Sequence, residues 1–170
     1  MADDTNIENS IGLQCKNNQG GVAELYLFPF TQLSRSDVEY LSSNDQTIND
    51  FPDTDVVQIN IFGASFNESS KIVQGGVEWT QTVSFRVHEL YLTRELHKLT
   101  YKDYCVLIRD RNGLYRIIGI WNGATANVTS TTGTNKNSFQ GYTVTLTAKE
   151  DNQAYYIANQ TKFNEFFTIL

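Results

Sequence analysis

The chain reads as mainly β: a β-sandwich or β-barrel of antiparallel strands with one flanking amphipathic α-helix and long loops. Three observations predict that class. Of 170 residues, 10 are Phe and 9 are Tyr while only 19 % are charged, so the chain can build a core and is too apolar for disorder. Its polar positions are filled by Thr, Asn, Ser and Gly more than by Lys and Glu, a balance that favours strands and turns over helices. Finally, Tyr142, Val144 and Leu146 alternate with Thr143, Thr145 and Thr147, and period two with one apolar and one hydroxyl face describes a half-buried strand.

The elements follow in order. Residues 1–14 read as a polar N-terminal arm with apolar anchors at Ile7, Ile11 and Leu13, and Asn17-Asn18-Gln19-Gly20-Gly21 is a turn signal. Val22 to Phe30 is a strand ended by Pro29-Phe30. Residues 31–55 are rich in Ser, Asn and Asp and read as a long loop, with Ser36 to Leu41 as a turn of helix. Val56 to Phe62 is a strand with Val57, Ile59 and Ile61 on one face. Asn67 to Gly76 is polar and Gly-rich. Val77 to Val87 then alternates Val77, Trp79, Gln81, Val83, Phe85 and Val87, as one long strand or a hairpin arm.

At Glu89 the period changes. Leu92, Leu96 and Leu99 stand at i, i+4 and i+7, which predicts one amphipathic helix over 89–99. Tyr104 to Asp110 and Leu114 to Trp121 flank Arg111-Asn112-Gly113, where Asn-Gly predicts a hairpin with a type I′ turn. Asn122 to Ser138 reads as a second long polar loop, followed by the alternating strand Tyr142 to Ala148. Residues 154–170 form an apolar C-terminal tail containing Phe163, Phe166, Phe167, Ile169 and Leu170. With no repeat and no linker, residues 1–170 are read as a single β-rich domain.

Little in the sequence is arranged for catalysis. His88 and His97 are nine apart on different sides of the expected helix, and no Cys or carboxylate pattern completes a zinc set. Spacing leaves a nucleophilic pair of Cys105 with either His open, because such pairs meet in space. Against it, Cys105 opens the apolar strand Tyr104-Cys105-Val106-Leu107-Ile108, where a small buried hydrophobe is the plainer reading. Two distant cysteines, Cys15 and Cys105, make no disulfide framework. Asp50, Asp53 and Asp55 cluster without the Gly and final Glu of a Ca²⁺ loop. Phosphate-cradling and nucleophile-elbow glycine motifs are missing. The expectation is a protein that is not an enzyme and takes no cofactor and no metal.

The net charge of −6 and pI near 4.8 disfavour a tight grip on phosphate backbones, and do not exclude a channel through which nucleic acid passes without sticking. The start Met1-Ala2-Asp3-Asp4 lacks the basic and apolar regions of a secretory signal, and no apolar run approaches the ~18 residues of a spanning helix. Synthesis in a cytoplasm without membrane insertion is expected. The sequons at Asn67, Asn127 and Asn159 are then chance matches. Tyr155-Tyr156 and the Phe-rich C-terminus either complete the core or dock on a neighbouring subunit.

Gly133, Phe139, Gly141, Tyr142, Thr143, Val144, Thr145, Leu146 and Glu150 form a strand ending of the type aromatic-x-Gly-Tyr-Thr-apolar-Thr-apolar behind a polar loop. This ending resembles the tail-tube and ring (head–tail connector) proteins of tailed bacteriophages of Bacteroidetes-type hosts, including crAss-like phages. Asn17 to Val22 running into Tyr26-Leu27-Phe28, and Gly113-Leu114-Tyr115-Arg116, look similar too. The chain departs at Ala148, where that pattern has Gly and a bulge is expected.

The resemblance implies a virion structural protein, made in the host cytoplasm. It would form a closed ring, hexamer or dodecamer, around a DNA channel in the tail or connector, and touch neighbouring tail or connector proteins. DNA would pass without sequence-specific binding. Phe139, Tyr142, Val144, Leu146, Phe163, Phe166 and Phe167 are the expected subunit-interface residues. The alternative is a carbohydrate- or surface-binding β-sandwich, a virion decoration stacking Tyr and Trp on sugars.

Overall fold

A computed structural model describes residues 20–41, 44–88 and 93–170, the side chains of residues 44, 45 and 93 excepted. The expected arm, most of the Asn17–Gly21 turn, Cys15 and the first turn of the 89–99 helix with Leu92 lie outside the described residues. In chain order the elements are β1 (Val22–Pro29), a 3₁₀ turn (Arg35–Asp37), β2 (Glu39–Leu41), β3 (Asn44–Asp50), β4 (Thr54–Ile59), β5 (Phe62–Val73), β6 (Gly76–Val87) and α1 (Thr93–Leu99). Next come β7 (Tyr104–Asp110), β8 (Tyr115–Ile118), β9 (Ala124–Thr131), β10 (Gly141–Glu150), β11 (Tyr155–Ile157), α2 (Gln160–Phe166) and β12 (Phe167–Ile169).

The strands build a mainly β, curled mixed sheet, a half-barrel carrying two helices. Its order is β2-β3-β11-β8-β7-β9-β10-β6-β5, and β1, β4 and β12 branch from β7. The β3–β11 and β4–β12 pairs are parallel; the other pairs are antiparallel.

β1 and β7 sit where the branches meet, and their sequences explain it. Leu25-Tyr26-Leu27-Phe28 and Cys105-Val106-Leu107-Ile108 are continuous apolar runs, the pattern of strands buried on both faces. Leu25 stands opposite Ile108 and Leu27 opposite Val106. These four join Val83, Phe85 and Val87 of β6, Val144, Leu146 and Ala148 of β10, and Leu96 and Leu99 of α1 in a first core. The intervening Tyr26, Phe28, Cys105 and Leu107 face a second core with Phe51, Val56, Tyr115, Ile117, Ile157, Phe163, Phe166 and Phe167.

The β class, strands β1, β6, β7 and β10 and the apolar face of α1 match the sequence reading. Other expectations are corrected. Two helices flank the sheet, since residues 160–166 of the supposed tail form α2, capped by the Asn159 side chain accepting from the Lys162 N–H at 3.0 Å. The loops expected at 31–55, 67–76 and 122–138 contain β2 and β3, most of β5, and β9. β5 and β9 are Ser-, Thr- and Asn-rich strands whose inward residues, Ala64 and Phe66 in β5 and Ala124, Ala126 and Val128 in β9, alternate with exposed ones but are few and mostly small, so the period-two signal is weak beside the loop-like polarity. In β4 the buried residue is Val56, while Val57 points out at 46 % exposure.

The Asn-Gly hairpin forms with a different turn. No described non-glycine residue has positive φ, so within this turn Gly113 (φ 85°) alone takes the left-handed position. Asp110 Oδ1 accepts from the N–H of Asn112 and of Leu114, both at 2.9 Å, closing a three-residue loop with its glycine last rather than type I′. Ala148 causes no irregularity, because β10 pairs in unbroken register with Gln81 on one side and Ala124 on the other.

Candidate interaction surfaces

The structure withdraws most of the expected interface residues from contact with a neighbour. Val144 and Leu146 are buried in the first core; Phe163, Phe166 and Phe167 are buried in the second. An apolar stripe signals burial but not against which partner, and here the partner is the same chain. β10 is likewise paired on both edges, by β6 and β9, so its backbone is not open to another subunit. Phe139 and Tyr142 are half-buried at its start. Phe139 meets the His88 ring edge-on at 5.0 Å and lies 5.2 Å from the Arg86 guanidinium; His88 in turn packs on Phe62 at 4.4 Å.

That ring cluster borders an apolar groove of about 580 Å³. Its walls come from three places: Val57, Ile59 and Ile61 on and after β4, Leu27 of β1, and Leu96 and Leu99 of α1. Val57, Ile59 and Ile61 are the face expected from alternation. The face is real, and it turns to the groove while Val56 supplies the buried contact on the other side.

Phe62, 56 % exposed, stands at the groove and begins the long β5–β6 hairpin, which shifts register once after Phe62 opposite Arg86 and then runs unbroken from Ala64 opposite Phe85 to Val73 opposite Gly76. At the hairpin's far end Ile72 is 87 % exposed and Val73 and Val77 also face solvent. Loop-like polarity hid this tip from sequence reasoning.

Among the described residues the short strands β2 and β12 and the long strands β5 and β9 each leave an edge open. β5 pairs only with β6, and β9 pairs with β10 and touches β7 only at Ala124 opposite Tyr104. An open edge offers unpaired N–H and C=O groups, usually guarded by Pro or charge. β9, Ala124-Thr125-Ala126-Asn127-Val128-Thr129-Ser130-Thr131, has neither.

The residues weighed for chemistry are dispersed. Cys105 is buried and donates to the Gly119 carbonyl at 3.1 Å, with its thiol pushed up to about 12 by burial and then by the nearby Glu150 charge. His88 packs between Phe62 and Phe139, and His97 is exposed on α1. No group of three or more His, Cys, Asp or Glu among the described residues is placed to hold a metal ion. No helix among them is long and apolar enough to cross a membrane.

Glu150 is the one buried carboxylate among the described residues, and its partners are structural. Its Oε1 accepts from the backbone N–H of Trp121 at 3.1 Å and of Asn122 at 3.0 Å, tying the turn after β8 to the end of β10. Burial raises its pKa from the ordinary carboxylate value, against the lowering effect of the Asn122 and Trp121 N–H groups. The folded chain therefore binds this proton more tightly than the unfolded chain. Its contribution makes stability fall as pH rises from the ordinary carboxylate pKa through the raised one. Glu150→Ala leaves two backbone donors unpaired and is expected to cost about 2–3 kcal/mol in urea melts at pH 7. Glu150→Gln keeps an acceptor and is expected to lose that pH slope; an unchanged slope would mean the burial seen here does not hold the proton.

Comparison of the chain with protein families, curated proteins and solved structures gives no match.

Proposed function

We propose that the chain is a non-enzymatic virion structural protein of a tailed bacteriophage, a subunit of a closed ring in the tail or head–tail connector. The observation that carries this reading is the pair of open edges, β5 and β9, on opposite sides of the four-strand unit β9-β10-β6-β5. The β5 edge of one copy can add to the β9 edge of the next, which extends the sheet from subunit to subunit. Such a contact is heterologous, and it closes into a ring when the rotation per step divides the circle. The strand ending Phe139 to Glu150 supports the same reading by resemblance. A net charge of −6 suits a lumen through which DNA passes without sequence-specific binding. Neighbouring tail or connector proteins and the virion as location follow from that assembly.

The rival reading, sugar stacking on exposed Tyr and Trp, has less support. Trp121 already meets Tyr155 edge-on at 6.5 Å and lies beneath Arg35, whose guanidinium is 5.6 Å from the ring. Native mass spectrometry with electron microscopy decides between them, with hexameric or dodecameric rings expected. Asn127→Lys with Thr129→Lys, both exposed on β9, is expected to give folded monomers by placing charge on the edge. A wild-type chain that stays monomeric at every concentration and binds glycans would sink the ring reading.

A further inference from the structure

We infer that Arg116 marks a binding cleft for a carboxylate, where β5 faces β8. Side chains of β8 alternate: Tyr115 and Ile117 belong to the second core and Ile118 to the first, which places Arg116 on the Ile118 side. There it lines a cleft of about 440 Å³ in which Val22, Ile108 and Phe66 are apolar and Ser65 and Asp110 polar. The guanidinium carbon lies 5.4 Å from the Phe66 ring and 5.1 Å from the Tyr156 ring. Both contacts hold the side chain in place, which lowers the entropy a ligand must remove.

Charge pairing sets Arg116 apart. Among the described residues, the other half-buried cations each hold a carboxylate: Arg109 holds Glu24 at 2.8 Å and Lys162 holds Glu165 at 2.9 Å. Cations outside any ion pair, such as Arg86, Arg94, Arg111 and Lys136, are exposed to water. Arg116 is half-buried, forms no ion pair with a described residue, and its Nε is buried without a hydrogen-bond partner. Withdrawing a cation from water is costly unless an anion replaces the lost hydration. The two Nη atoms are not closed off in this way and carry the donors that a ligand can reach.

The neighbours decide which anion fits. Asp110 lines the same cleft, and the chain carries a net charge of −6. A phosphate dianion is repelled by that field about twice as strongly as a monoanion. A carboxylate carries one charge and matches the planar guanidinium fork with two parallel hydrogen bonds. Asp110 does not serve as that partner, because its Oδ1 is turned to the N–H groups of Asn112 and Leu114 and no ion pair joins it to Arg116. Val22, Ile108 and Phe66 suit a short aliphatic stem behind the carboxylate. A free small acid and the acidic side chain of a protein partner present this same group. The site requires neither a ring nor contact between copies.

Titration of the full chain at constant ionic strength, followed by two-dimensional NMR, tests the site with sodium butyrate and with the blocked peptide acetyl-Gly-Asp-Gly-amide. Butyrate is expected to shift the Arg116 side-chain N–H and the backbone N–H signals of Gly21 and Ser65, half-saturating at about 1–10 mM. Butyramide, of the same shape without the charge, is expected to shift none of them, and inorganic phosphate to bind at least tenfold more weakly. Arg116→Gln is expected to abolish the butyrate shifts. Ser65→Glu, at an exposed position, brings a resident carboxylate to the cleft and is expected to weaken butyrate at least tenfold with the melting temperature unchanged. Saturation by butyrate supports a free acid as ligand; saturation by the peptide alone supports a carboxylate on a protein partner. No saturable shift with either probe overturns the site. So do equal shifts from butyramide, tighter binding of phosphate, or undiminished binding to both variants.

Discussion

Removing residues 159–170 is expected to unfold the protein rather than to free a monomer. Phe163 is only 1 % exposed and stacks on Tyr115 with ring centroids 4.9 Å apart and on Tyr26 at 5.2 Å. Phe166 and Phe167 pack on Phe51 at 6.4 Å and 5.4 Å, and Phe167 also meets Phe28 at 5.8 Å. Deleting one such ring costs about 3–5 kcal/mol, so losing three removes about 9–15 kcal/mol, comparable to the whole 5–15 kcal/mol that typically holds a domain. The deletion also strips β12 from β4, including the Leu170 N–H bond to the Val56 carbonyl at 3.0 Å. Near-UV circular dichroism and a thermal melt check this; a truncated chain that melts cooperatively at the full-length midpoint would return the segment to the role of a docking arm. Phe163→Ala alone is expected to stay folded with about 4 kcal/mol lost.

The second large effect is expected at the first residue of β10. Gly141 has φ 147°, a region that side chains rarely enter, and it is buried between Val87 of β6 and Thr131 of β9. A Cβ there would collide with the Val87 carbonyl oxygen and come within 3.0 Å of the Phe139 ring. The carbonyl belongs to a neighbouring strand and can yield only if the β6–β10 ladder shifts. Backbone strain of about 1–3 kcal/mol and overpacking of similar size together predict a loss of about 3–5 kcal/mol for Gly141→Ala. Gly75→Ala is the control, because Gly75 also has positive φ (112°) but open space around it, and it is expected to show the strain alone. Denaturant midpoints compare the two. Equal losses would show that the ladder absorbs the methyl group without strain.

Both effects concern positions that the sequence marked without explaining. Gly141 belongs to the strand ending that suggested a β subunit, and its need for glycine comes from a carbonyl more than fifty positions away. Phe163, Phe166 and Phe167 were legible as apolar. Their helix was not, because two inward rings in seven residues are too few to show a 3.6-residue period. The ring stack of Tyr26, Phe163 and Tyr115 exists only once β1, β8 and α2 are assembled.

The candidate surfaces divide the same way. Val57, Ile59 and Ile61 were visible as one apolar face of a strand, but only packing shows that this face lines an open groove. Ile72, Val73 and Val77 looked like the margin of a polar loop. They become an apolar tip because the Ser- and Asn-rich stretch before them is held as a strand by β6.

The amino-acid sequence by itself determined the β class, the doubly buried strands β1 and β7, and the alternating faces of β6 and β10. Each of these follows from local periodicity and chain chemistry, which a single segment carries. Tertiary structure alone decided that the polar stretch of β5 is held as a strand by β6, that the C-terminal rings are core, and which edges and faces stay open. Those outcomes depend on pairing and packing between distant segments, whose free energy no single stretch of sequence records.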